Sequence, residues 1–175
     1  MMFTHLAVTL LIVMLFRLDE NEAFVALLFG VFIDIDHLFG YVDYITTYGV
    51  VGAVDAQGML DSDVQWKSLM HNPVTVIVVA PVAIAFRYAV PLLCWVVHLT
   101  MDWAQIEILG IASPLEMLIL FGSIAGIWYI RARDYRDLKG SYTLAGHVHW
   151  ELDGLGDMVS RVMPGDRSDG SEPVE

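Results

Sequence analysis

GVFIDIDHLFG, residues 30–40, decides how this chain is read. An apolar run from Ala23 to Ile33 stops at Asp34; Asp36 and His37 follow, and apolar residues then resume. Two carboxylates and an imidazole thus sit inside a hydrophobic pattern. If that pattern is a membrane-spanning helix, each Asp at its centre costs about 2.5–3.5 kcal/mol on insertion scales.

The surrounding composition supports a membrane setting. Of 175 residues, 57% are hydrophobic and 17% charged, with a mean hydropathy of +0.59. Soluble domains are typically about 45–50% apolar and about 25% charged. Four or five apolar segments can be drawn: Phe3 to Phe16, Ala23 towards Ile45, Val74 to Ala85, Leu92 to about Leu109, and Leu115 to Ile130. The expected fold is all-α, a polytopic transmembrane bundle of four or five spans over residues 1–139. Residues 140–175 read as a polar, acidic, flexible tail, with seven acidic and two basic side chains. The first segment has no preceding Lys or Arg and no small-residue cleavage site, so it reads as a retained anchor rather than a signal peptide. Pro73 and Pro114 suit helix first turns, and Asn72 suits an N-cap. Segments three and four are so close that a tight antiparallel hairpin is expected. The loop 49–69 reads as outside the membrane.

Orientation follows from the basic residues. Arg131, Arg133, Arg136 and Lys139 follow the last segment, which places that end in the cytoplasm. Counting back through five spans puts Arg17 and Arg87 on the same side, leaves only Lys67 outside, and sets the N-terminus outside the cell membrane. The net charge of −12 argues against nucleic-acid binding. The single cysteine, Cys94, allows no intrachain disulfide.

On this topology the polar residues gather at one level. His5 lies near one end of the first span, and Asp34, Asp36 and His37 lie in the second. His71 stands at the mouth of the third, and His98 and Asp102 lie in the fourth. His98 and Asp102 share a helix face at i, i+4, and Asp34 and His37 are neighbours at i, i+3. Asp36 joins them only if the helix breaks. Three buried Asp residues would cost roughly 8–10 kcal/mol together, with no Lys or Arg at that depth to offset them. A divalent cation would do so, zinc first, with manganese or iron as alternatives, since imidazole and carboxylate suit these ions.

Plainer readings stand beside this one. His98 and Asp102 could be interhelical glue, the Asp34 group a wet helix end, His5 an interfacial residue and His71 a loop residue. His147 and His149 read as ordinary tail residues, and Glu107 and Glu116 as wet. Trp66, Trp95, Trp103 and Trp128 read as packing and interfacial anchors.

The motif order "TH" at 4–5, "DIDH" at 34–37, "HNPVT" at 71–75 and "HLTMD" at 98–102 resembles the YdjM-like, DUF457-type membrane-bound metal-dependent hydrolases. That family is in turn distantly similar to zinc-dependent phospholipase C and P1-type nucleases. The resemblance covers roughly residues 1–130. It implies metal-ligand roles for His5, Asp34, Asp36, His37, His71, His98 and Asp102, with Asp36 or His37 as a general base or a second-site ligand. It also implies a phosphoester substrate, lipid-linked if reached from the outer leaflet. Ile33 stands where the family has Pro, Asn72 where it has Arg, Pro73 where it has Gly, and Val76 where it has a second His; Thr75 matches. The rival expectations are a non-enzymatic metal-binding protein or transporter, because ionisable residues in spans also mark ion paths, and an adaptor working through its tail.

Overall fold

The computed structural model describes residues 2–55, 58–59, 61–64, 69–109 and 113–162. Among them there is no strand, and the elements are helical throughout. They are α1 (Met2–Phe16), α2 (Glu20–Gly30), a 3-10 turn (Phe32–Asp36), α3 (His37–Tyr48), α4 (Pro73–Ala85), α5 (Ala89–Ala104), α6 (Pro114–Lys139) and α7 (Leu144–Val162). A π-turn, Gln105–Leu109, extends α5. The chain forms two compact units, residues 1–128 and 129–175. In the second unit the last turns of α6 pack with α7.

The first unit is polar inside and apolar outside. Thr4, His5, Thr9, His71, His98, Asp102 and Glu116 are buried, while Phe24, Ile77, Val78, Leu118 and Phe121 are mostly exposed. A protein in water distributes these residue types the other way; hydrocarbon surroundings account for the inversion. Two helices, α5 with its π-turn and α6, are long and apolar enough to cross a membrane. The pair α2 and 32–48 qualifies together but is bent by 45°. The other apolar helices, α1 and α4, have 15 and 13 residues, below the roughly 17 a span needs. The chain is consistent with a membrane protein: among the described residues two helices are long and apolar enough to cross, and the bent pair is a third candidate.

Local chemistry sets the helix ends. Asp19 caps α2 in a capping box: its Oδ1 accepts from Glu22 N at 2.9 Å, and its own N–H donates to Glu22 Oε2 at 3.2 Å. Asn72 caps α4 as expected, accepting from Val74 N at 2.9 Å. The helices α1 and α4 both end on a left-handed arginine, Arg17 (φ 51°) and Arg87 (φ 66°). In each, the next residue reaches back five positions, Leu18 to Val13 and Tyr88 to Ala83, which satisfies end carbonyls in a Schellman turn. The second of these turns makes the tight hairpin into α5. A small apolar core, Ile33, Val76 and Trp95 with Phe29 and Leu92, ties α2, α4 and α5 together.

The second unit holds the tail's surprise. Residues 144–162 form a helix rather than a flexible tail. Arg131 grips Glu151 through two hydrogen bonds of 2.7 and 2.8 Å and lies over the Trp150 ring at 4.3 Å. His147, read as an ordinary tail residue, is fully buried, and its Nε2 lies 3.2 Å from Glu151 Oε1. His149 is exposed, as expected. Residues 163–175 and Trp66 and Lys67 lie outside the described residues.

Candidate metal centre

The break in residues 30–37 builds the site. Gly30 ends α2, and the tighter 3-10 turn after it swings Asp34 inward. With no helical turn to receive it, the Gly30 carbonyl accepts from Thr9 Oγ1 at 3.3 Å and from His98 Nδ1 at 3.1 Å. A carbonyl only accepts, so Nδ1 of His98 carries the proton and its Nε2 lone pair faces the cluster. A side chain at residue 30 would run into Thr9; only glycine allows this approach.

Six of the seven expected residues converge: His5 from α1, Asp34 from the 3-10 turn, His37 from α3, His71 from the turn before α4, and His98 and Asp102 from α5. Asp34 Oδ1 lies 3.2 Å from His98 Nε2 and 3.4 Å from both His71 Nε2 and His37 Nε2. His71 Nε2 and His98 Nε2 are 3.3 Å apart. Asp34 Oδ2 accepts from His5 Nδ1 at 3.2 Å. His5 Nε2 is buried, makes no hydrogen bond, and stands 3.5 Å from Asp102 Oδ1. Asp102 Oδ2 is 3.6 Å from His71 Nε2 and 3.8 Å from His98 Nε2. The side chain of Asp36, the seventh expected residue, lies outside those described; its backbone closes the turn where the helix breaks.

These distances suit a metal. Ligands bonded at about 2.0–2.1 Å in a tetrahedron stand about 3.3–3.4 Å from one another. Ring nitrogens and carboxylate oxygens gather at that spacing, with His5 Nε2 buried and without a hydrogen bond among them. Two groups of four could hold an ion: His5, Asp34, His98 and Asp102, and Asp34, His37, His71 and Asp102. The site is not sealed on every side. The side chains of His5, His71 and His98 are at most 1% exposed, against 32% for His37 and 18% for Asp34.

Two supports escaped the sequence reading. Trp95 Nε1 donates to the Met70 carbonyl at 2.9 Å and stacks on Phe29, fixing the backbone beside His71. Glu116, expected to be wet, is buried, and Thr4 Oγ1 donates to its Oε1 at 3.2 Å, beside His5 in α1. Glu116 was read as wet because it lies at the junction between two apolar segments, two residues after Pro114. No protein-family model, curated protein or solved structure matches the chain.

Proposed function

We propose that this protein is a membrane-embedded, metal-dependent hydrolase of phosphoesters, of the YdjM-like kind, with zinc as its ion. The observation that carries the proposal is the meeting of four imidazoles and two carboxylates from five segments in one cluster, with His37 as its most exposed member. The mixed nitrogen and oxygen donors suit zinc. The motif order along the chain supports the hydrolase reading, although Asn72 and Val76 depart from it.

A cation held there would supply a Lewis acid and a more acidic water. The chain's own residues do the rest. His98 is oriented by the Gly30 carbonyl, and the backbone beside His71 is held by Trp95 through the Met70 carbonyl. Asp34 and Asp102 supply the negative charge that binding a cation requires. Buried His5, Thr4 and Thr9 close the inner side against water. Substrate and the departing proton use the edge at Asp34 and His37. His37 Nε2 lies 3.4 Å from Asp34 Oδ1, inside a four-ligand group, which favours the ligand role for it over that of a general base. Ile35, Leu38 and Phe39, beside that edge in sequence, are exposed apolar side chains. They favour a lipid-linked phosphoester over a small soluble one.

The topology proposed with this has five crossings, α1 and α4 included, an outer N-terminus and a cytoplasmic C-terminus in the cell membrane. The test of function is hydrolysis of phospholipid and aryl phosphoesters by the zinc-loaded protein in detergent, compared with Asp102→Ala. Activity in the wild type, lost by at least about a hundredfold in a variant that still folds, is expected. Equal activity in both sinks the proposal.

A further inference from the structure

Helix α6 is long and apolar enough to cross a membrane, and its C-terminal turns carry an interfacial pattern. Trp128 and Tyr129 are 44% and 68% exposed, and such rings settle where hydrocarbon meets headgroups. Arg133 and Arg136 follow Tyr129 by about 6 and 10 Å along the helix axis, at 1.5 Å per residue. The headgroup layer is about 5–8 Å deep on each side of the bilayer, and long arginine side chains reach into it. Arg131 is committed to Glu151. Tyr129, Ala132, Arg133, Arg136 and Tyr142 line a cavity of about 210 Å³. The first four share one helix face, at i, i+3, i+4 and i+7. Asp137 Oδ1 stands 3.9 Å from Arg136 Nε, both well exposed, a pair worth little in solvent. The cavity thus offers two guanidinium groups and two phenols at headgroup depth, a donor set that suits a phosphate.

Helix α7 returns toward the same surface. Gly140 (φ 75°) ends α6 in a left-handed turn, its N–H bonded to the Arg136 carbonyl at 2.8 Å. Tyr135 meets Tyr142 and His147, and Arg131 meets Trp150 and Glu151. Contacts step back along α6 as α7 advances, so the two helices run antiparallel. Leu155 lies one turn beyond Glu151, about 6 Å, which carries it past the level of Tyr129. Leu144, Val148, Leu152 and Leu155 form one exposed apolar stripe, while His149, Asp153 and Asp157 share a different face.

We propose that the α6–α7 hairpin grips the surface of an anionic phospholipid membrane. Arg133 and Arg136 hold a lipid phosphate in the cavity, and Leu152 and Leu155 sit among the lipids of the leaflet that α6 leaves. Charge complementarity and the continuity of the hairpin with a crossing helix select this occupant. An amphipathic helix binds an interface through its apolar face, and basic side chains beside a crossing helix select anionic headgroups. The acidic face of α7 stays in water. The proposal rests on α6 crossing the membrane and is independent of the metal cluster.

The full-length protein provides the test. In detergent, native mass spectrometry should show one phosphatidylglycerol retained at least about tenfold more tightly than phosphatidylcholine. Millimolar inorganic phosphate should not displace it, and Arg133→Gln/Arg136→Gln should abolish the preference. Equal retention of the two lipids, retention of neither, or a preference that survives in the double variant overturns the proposal. Displacement by inorganic phosphate also overturns it, in favour of a site for the free ion. Spin labels placed by Leu155→Cys or His149→Cys, with buried Cys94 unlabelled, read the stripe in phosphatidylglycerol nanodiscs. The label at 155 should be reached by oxygen rather than by a water-soluble nickel chelate, and the label at 149 by the chelate. Equal chelate access at both positions overturns the proposal, as does spin–spin broadening at 155, which places a second copy on the stripe. These labels decide the matter if the double variant does not fold.

Discussion

The Nδ1–H of His98 donates to the carbonyl of Gly30 at 3.1 Å, joining residues 68 apart in the chain. The bond exists because α2 stops at Gly30 and leaves that carbonyl without a helical partner. It fixes which nitrogen of His98 faces the cluster. Replacing Gly30 therefore damages the site without touching a ligand. Gly30→Ala should weaken zinc binding by about 10–100-fold, the usual cost of losing an outer hydrogen bond to a metal-binding His. Thr9→Ala in the same background should restore part of it by removing the group that the new methyl meets. Competition titration with a zinc dye reads both.

Metal removal should loosen the first unit. Without a cation, two carboxylates and four imidazoles face one another in a low-dielectric interior. A ligand present at a thousand times its dissociation constant stabilises by about 4 kcal/mol. Chelated protein should therefore unfold at a clearly lower temperature than zinc-loaded protein, and added zinc should reverse the shift. Coincident melting curves would contradict a bound ion.

The buried Glu116 carboxyl supplies a third prediction. It accepts from Thr4 Oγ1 at 3.2 Å, so Glu116→Ala should destabilise by about 1–3 kcal/mol, the cost of unsatisfied buried polar groups. Glu116→Gln keeps an acceptor and should cost less. Thermal unfolding of both variants in the same detergent separates them.

In the second unit, the Arg131 guanidinium hydrogen-bonded to Glu151 holds that carboxyl below its usual range, against the opposing effect of partial burial. A carboxyl with a lowered folded pKa adds stability that is fully present above its unfolded value, about 4.3. That stability is lost as pH falls through the folded value. The docking of α7 on the end of α6 should thus be constant from neutral pH down to about 5 and weaken below about 4.3. Trp150 fluorescence, followed against pH, should show this transition, and Glu151→Gln should abolish it.

The candidate site was legible because each member is a costly residue in an apolar context. Alternating helices bring the ends of α1 and α4 and the middle of α5 to one level, so residues far apart in sequence could be matched by depth. The break in residues 30–37 was visible as the point where Asp34 and Asp36 interrupt the pattern. What remained hidden has physical reasons. The Gly30 carbonyl carries no side-chain identity, so its bond to His98 leaves no mark beyond a glycine. Glu116 and Thr4 are 112 positions apart, and nothing local pairs them. The helix α7 was disguised by Gly146, Gly154 and Gly156. Its signal was the spacing of Leu144, Val148, Leu152 and Leu155, which recurs at helical intervals along one face.

The separation between Gly30 and His98 has a consequence for biosynthesis. When α1 and the bent second segment leave the ribosome, α5 has not yet been made. His5, Asp34 and the Gly30 carbonyl, which then has only Thr9 of α1 in reach, must be sheltered by the insertion machinery, by water at the bilayer edge or by one another. The nascent chain becomes competent to capture its ion only after α5 follows. Truncating translation just before α5 should leave a product that quality-control proteases clear rapidly. Extending it through Ala104 should be the step at which the half-life rises.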